Sequence, residues 1–246
     1  MKKIQLSISI FLIASFFLYN ATADTAVSYK QSRDQMIKER AASKNDPKFS
    51  EAEIRLMNDA MNAVIQKHPS PGLKVGQKAP GFSLMNAHGK MVSLSSYLKK
   101  GPVVLVFYRG AWCPFCNLHL HALKNSISAF RQYGASVIAV TPQQPDQSLR
   151  QVRKDKYPFE ILSDLDDKVM KSYGLYYRLS DELVALYKRK GLDVEMFNGR
   201  GRVGLPVPGT FVIGKDGVIK AVHAEHDYKE RMEPADIVKA LQKQDG

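Results

Sequence analysis

The sequence predicts an α/β fold: a central mixed β-sheet flanked by helices, preceded by a helical extension. Three observations predict it. Runs such as 103–108 and 136–141 are apolar and β-branched without polar alternation, the mark of strands buried on both faces. Segments with apolar residues at helical spacing alternate with these runs. Near the end, two β-rich runs meet at Lys215-Asp216-Gly217, and an Asp-Gly step between such runs signals a hairpin. A hairpin adds antiparallel strands to an otherwise alternating pattern, so the sheet is mixed.

The elements follow in order. Lys2 and Lys3 precede a charge-free stretch, Ile4 to Ala23, that ends in Ala21-Thr22-Ala23. This is the pattern of a secretory signal peptide over 1–23, cleaved after Ala23. The alternative is an uncleaved membrane anchor, since the stretch is long enough to span, although Ser7, Ser9, Ser15 and Asn20 weaken it. Residues 24–69 form a polar, lysine-rich extension. In it, Ser50-Glu51-Ala52-Glu53 reads as a capping box, with Ile54, Met57, Met61, Val64 and Ile65 behind it at helical spacing. Pro69 to Pro80 punctuates the chain, and the main domain, 70–246, begins there. Strands are expected at 82–85 and 91–94 around His88-Gly89, then at 103–108, 136–141, 159–162, 210–214 and 218–222. Helices are expected at 114–133, 146–156, 167–173, 181–190 and 233–242.

With 44% hydrophobic and 24% charged residues, the 246-residue chain is an ordinary globular one. Its formal charge is +12, falling by two once Lys2 and Lys3 are removed. The basic residues are dispersed and mixed with acids; the densest run is Lys188-Arg189-Lys190. That is a solvated basic surface rather than a nucleic-acid footprint, so no nucleic-acid partner is expected. A membrane enters only if the leader stays uncleaved. Oligomeric state is left open.

The chain has two cysteines, Cys113 and Cys116. A bridge between them would close a tiny loop and constrain little unfolded-state entropy, which disfavours a structural staple. A chemical role fits better. Cys113 follows a buried strand and stands where a helix begins. Free N–H groups there, with the helix dipole, stabilise an anion such as a thiolate. A free thiol of pKa near 8.5 is mostly protonated at neutral pH, and lowering that value makes it reactive. Arg109 is a candidate second source of positive charge, and Pro114 suits the first helical position. Cys113 is expected as the exposed attacker and Cys116, on the same helical face, as the more buried partner.

Two other motifs fail. Cys113, Cys116, His119 and His121 spell a possible zinc set. Ligands crowded on one helix cannot converge tetrahedrally, and His121 turns away, so no metal is expected. Gly199-Arg200-Gly201-Arg202-Val203-Gly204 matches GxGxxG, but Leu205-Pro206-Val207-Pro208 forbids the helix that a dinucleotide site needs. A flexible loop is expected there, and no cofactor.

A strand followed by Trp112-Cys113-Pro114-Phe115-Cys116 at a helix start resembles the thioredoxin superfamily. Leu205 to Ile213 adds a proline ahead of a Thr-Phe-Val-Ile strand, similar to that superfamily's cis-proline. The resemblance thereby implies a thioredoxin-like fold, with Pro208 beside the CxxC and the Val207 backbone aligning an incoming thiol or disulfide. Lys74 to Leu84, Tyr108 to Cys116 and Val207 to Gly217 together resemble the alkyl hydroperoxide reductase/thiol-specific antioxidant family, in its peroxiredoxin-like branch. That resemblance implies an antioxidant peroxidase. Cys113 would attack a hydroperoxide and become a sulfenic acid. Cys116 would resolve it to an intramolecular disulfide, and a thioredoxin-like reductant would restore it. Tyr108, Arg109, Trp112, Pro114, Val207 and Pro208 would support the pair. Gly110 stands where typical members carry Thr or Ser, and Pro208 stands where they carry a supporting Arg. An exported thiol–disulfide exchange protein is the alternative, with a periplasmic or secreted location in either case.

Overall fold

The computed structural model describes residues 28–44 and 48–243. The leader at 1–23 and its cleavage point lie outside the described residues. Two helices come first, α1 (Tyr29–Ala42) and α2 (Glu51–Lys67). The main domain then runs β1 (Ser83–Asn86), β2 (Met91–Ser93), α3 (Leu94–Leu98), β3 (Val103–Phe107), α4 (Pro114–Asn125), α5 (Ile127–Arg131), β4 (Ser136–Thr141), α6 (Pro145–Asp155) and β5 (Glu160–Ser163). It continues with α7 (Lys168–Ser172), β6 (Tyr176–Arg178), α8 (Asp181–Arg189), α9 (Val194–Asn198), β7 (Gly204–Pro206), β8 (Gly209–Ile213), β9 (Ile219–Ala224) and α10 (Pro234–Gln242).

Seven strands form one sheet in the order β2-β1-β5-β4-β3-β8-β9. β3, β4 and β5 pair in parallel; the remaining pairs are antiparallel. The sheet is therefore mixed, as the patterning predicts. β3 lies centrally, with all five residues at most 1% exposed. Burial on both faces is why its sequence shows no alternation. One face packs Leu105, Phe107, Ile138 and Phe211 against Tyr173; the other packs Val104 and Val106 against Leu120, Leu123 and Phe130 of α4 and α5. Each such side chain contributes roughly 1.5–3 kcal/mol by leaving water. This burial fixes the end of β3, and with it the turn that delivers the cysteines.

Two details differ from expectation. The helix expected over 114–133 breaks at Ser126, which caps α4 and opens α5; its N–H is shared among the carbonyls of Ala122, Leu123 and Lys124. Ser and Asn compete with the helix backbone for hydrogen bonds, so the Asn125-Ser126 step is a weak point. The GxGxxG segment is indeed a loop running into β7 rather than a helix, but it is held: Arg202 donates to the carbonyls of Pro142, Asn198 and Asp164 and pairs with Asp167. β6 and β7 form a separate two-stranded sheet that carries the chain across to Val207.

Candidate active site

β3 ends at Phe107, and Tyr108 to Trp112 turn the chain into α4. Cys113 is the N-cap residue, in extended conformation, and Pro114 opens the helix. The sulfurs of Cys113 and Cys116 lie 2.6 Å apart as free thiols, within a single S–H···S contact. The expected exposure of Cys113 is corrected: it is 1% exposed and Cys116 is 0% exposed. Aromatic side chains account for this. Phe115 packs edge-on to Tyr228, and the Arg109 guanidinium is sandwiched between Trp112 and Tyr228, 4.7 and 4.3 Å from their rings.

Gly110 makes that cover possible. Its φ is +149°, and a Cβ there would stand 2.5 Å from Trp112 Nε1. The indole folds back onto backbone that only glycine leaves open. The position that carries a hydroxyl in typical family members is thus given over to packing.

The turn is clamped from below. The Ala111 N–H donates to Gln143 Oε1 at 3.0 Å, and the Ala111 carbonyl accepts from Asn117 at 2.7 Å. Gln143 also donates to Tyr108 Oη, Ser148 and Gln151, and Gln151 donates to Asn117. Tyr108 is thereby a buried strut of this network. Its hydroxyl donates to Gln151 at 2.8 Å, and it does not line the approach to the sulfurs.

A residue that the sequence did not suggest completes the site. Arg231, in the segment between β9 and α10, is 6% exposed and donates to Cys116 Sγ at 3.4 Å. Its setting, Glu230-Arg231-Met232-Glu233, reads as an ordinary charged linker, and only the fold brings it to the thiols. Arg231 is thus bonded to the pair directly, while the buried Arg109 guanidinium acts on it through space. Burial raises the Cys116 pKa, but the Cys113 hydrogen bond and the Arg231 and Arg109 charges outweigh it and bring the value down to about 5. Burial and the Cys116 thiolate push Cys113 well above the ordinary thiol range. The pair thus gives up one proton easily and holds the other. The single negative charge belongs to the pair, and Arg231, bonded to the Cys116 sulfur, stabilises it.

The remaining expected residues divide. Among the described residues no peptide bond is cis, so the cis-proline expected at Pro208 is corrected to a trans one. The Val207 N–H is committed to the Leu175 carbonyl at 2.7 Å, and its side chain joins the core on the sheet face away from the cysteines. His119 is buried against Met232 and Tyr29, while His121 faces Asp155 at the surface.

A cavity of about 790 Å³ on the side of α2 reaches Arg109 and Tyr228. Met57, Met61, Val64 and Leu183 supply apolar wall, and Arg109, Tyr177 and Tyr228 line it too. Arg109 Nε is buried without a hydrogen-bond partner.

The sequence model of the AhpC/TSA family matches residues 75–222, which take in both cysteines and Arg109. The chain belongs to the AhpC/TSA family. Among relatives, "Peroxiredoxin Q, chloroplastic" of Populus jackii is 28% identical over 148 residues, covering 60% of this chain and 59% of that one. "Putative peroxiredoxin bcp" of Haemophilus influenzae is 34% identical over 104 residues, covering 42% and 66%. "Peroxiredoxin Bcp" of Escherichia coli is 28% identical, covering 64% and 88%. The chain thus spans less than two thirds of the length of the first two. Among solved structures, peroxidoxin BcpB of Mycobacterium tuberculosis superposes with a TM-score of 0.56 at 21% identity, covering 70% of this chain and 97% of that one. That match establishes the thioredoxin-like peroxiredoxin fold. Within the family frame, α1, α2, Tyr228 and Arg231 all fall outside the matched residues.

Proposed function

We propose that the protein is a thiol-dependent peroxidase that reduces hydrogen peroxide or organic hydroperoxides. One observation carries this reading: two buried thiols in contact at a helix start, with the buried Arg231 guanidinium bonded to one of them. Family membership and the peroxiredoxin relatives support it. The Cys113 proton passes to Cys116 across the short contact, and the Cys113 thiolate attacks the peroxide. An S–O bond forms and the O–O bond breaks. The sulfur is oxidised to sulfenic acid, and the alkoxide or hydroxide that leaves takes a proton from solvent. Arg109, whose buried Nε has no hydrogen-bond partner among the described residues, is the group assigned to stabilise that departing charge. Cys116 then attacks the Cys113 sulfur. The disulfide forms, and hydroxide leaves as water with the Cys116 proton. A thioredoxin-like dithiol reduces the bond by exchange. No cofactor takes part.

The peroxiredoxin relatives favour this reading over thiol–disulfide exchange with a protein substrate. Stopped-flow mixing of the reduced protein with hydrogen peroxide tests it. The Cys116→Ser variant should trap a sulfenate at Cys113. Oxidation no faster than that of a free thiol would sink the proposal, and equal trapping at Cys116 in Cys113→Ser would reverse the roles. Export belongs to the same reading and rests on the composition of residues 1–23. Sequencing the mature N-terminus tests it: a start at Asp24 supports a periplasmic or secreted protein.

A further inference from the structure

We infer that α1 is part of the active-site machinery: Tyr29 and Arg33 are positioning residues that hold the 229–233 segment so that Arg231 reaches the thiol pair. The inference rests on reading Cys113 and Cys116 as the reacting pair, and not on which oxidant they meet.

Arg231 sits between β9 and α10, in a stretch with no helix or strand of its own. Such a segment does not fix a side chain by local structure, so its position must come from contacts. Burying a guanidinium is costly unless its partner stays in place. Among the described residues, Arg231 forms no ion pair with a carboxylate. Beyond the Cys116 sulfur, it bonds the Glu230 carbonyl at 2.7 Å. The geometry of that carbonyl and of Cys116 therefore decides whether the cation reaches the thiolate.

α1 ties the segment on both sides of Arg231. The Tyr29 hydroxyl donates to the Lys229 carbonyl at 2.5 Å, and Arg33 pairs with Glu230 at 2.5 Å. Glu233 accepts from the N–H groups of Tyr29 and Lys30 at 3.0 and 2.6 Å, placing a carboxylate at the positive end of α1. Residues 229, 230 and 233 are thus each bound to α1, with Arg231 between them. The cysteine helix closes the triangle. His119, one turn beyond Cys116, meets the Met232 carbonyl at 3.2 Å and packs edge-on to the Tyr29 ring. α1 thereby joins the cation and its thiolate through shared contacts. Its sequence agrees: Tyr29 and Arg33 are the helix's buried residues, both chemistry-bearing, on an element with no apolar stripe.

The test reads the thiolate itself. Tyr29→Phe keeps the ring against His119 and removes only the hydroxyl bond; Arg33→Met removes the ion pair. Ultraviolet thiolate absorbance of the reduced full-length protein, followed against pH, gives the first midpoint of the pair. Each variant is expected to raise it by about half a unit to one unit, with unchanged far-UV circular dichroism. In an Arg231→Met background the same substitutions should shift nothing further, because the group they position is gone. A merely structural α1 would lower thermal stability and leave the midpoint alone. Midpoints within about 0.2 units of wild type for both variants, or equal shifts with and without Arg231, overturn the inference. Slow peroxide consumption by the wild type would instead count against the peroxidase and leave this result standing.

Discussion

Replacing Arg231 by methionine should raise the first ionisation of the thiol pair and leave the fold intact. The guanidinium lies 3.4 Å from Cys116 Sγ. At an effective dielectric of about 20, two charges at that distance attract by about 5 kcal/mol. Part of that is offset by solvation lost from both groups, and a hydrogen bond to a charged group nets about 2 kcal/mol. At 1.4 kcal/mol per unit, the shift is about 1.5 units. The Cys116 value of about 5 should therefore move above 6. At pH 6 the ionised fraction falls from about nine-tenths to about a quarter. Thiolate absorbance against pH measures this directly, and the rate of alkylation by a small uncharged reagent should track it. Arg231→Lys keeps the charge without the fork and should recover part of the shift. A midpoint that moves by less than about 0.3 units in Arg231→Met would refute the electrostatic account and leave the helix start as the source of acidity.

Gly110→Ala should cost about 1–3 kcal/mol, because the new Cβ meets Trp112 Nε1 at 2.5 Å on a backbone of positive φ. Trp112 is the chain's one tryptophan, so its fluorescence reports the lost Arg109 stack; an unchanged spectrum and melting point would refute this. Gln143→Leu strands the part-buried Ala111 N–H and should cost about 1–3 kcal/mol in urea unfolding, with a change under about 0.5 counting against the clamp. His119 is held neutral: burial, then the Arg231 charge, lowers its pKa to about 3. Its contribution is full above the unfolded value of about 6.5 and is lost as pH falls from there toward 3, at about 1 kcal/mol per pH unit. His119→Gln should remove that slope from the pH profile of the urea midpoint, and an identical slope would refute the assignment.

The main sheet was legible because its strands are buried on both faces or joined by a strong turn signal. Val103 to Phe107 and the Asp216-Gly217 hairpin are both of this kind. Other elements were not. α1 carries no apolar stripe, and β6 and β7 are three residues each, bounded by no strong turn pair. Cys113, Cys116 and Pro114 fell where the spacing put them, because a CxxC at a strand-to-helix step is a local pattern. Arg231 was illegible for the opposite reason: it lies 115 residues from Cys116, and nothing around it distinguishes it from other basic residues. The exposure expected of Cys113 failed on the same ground, since Tyr228 comes from that distant segment.

The paired guanidinium groups have a consequence for the return half of the cycle. Among the described residues neither Arg109 nor Arg231 forms an ion pair with a carboxylate, and both charges favour the thiolate form of the pair. Making the disulfide abolishes that anion and leaves two buried cations facing a neutral bond. The oxidised protein is the electrostatically frustrated one, and reduction relieves it. Stabilising a thiolate over its disulfide raises the reduction potential of the couple. The charges that favour the thiolate therefore also favour reduction of the disulfide.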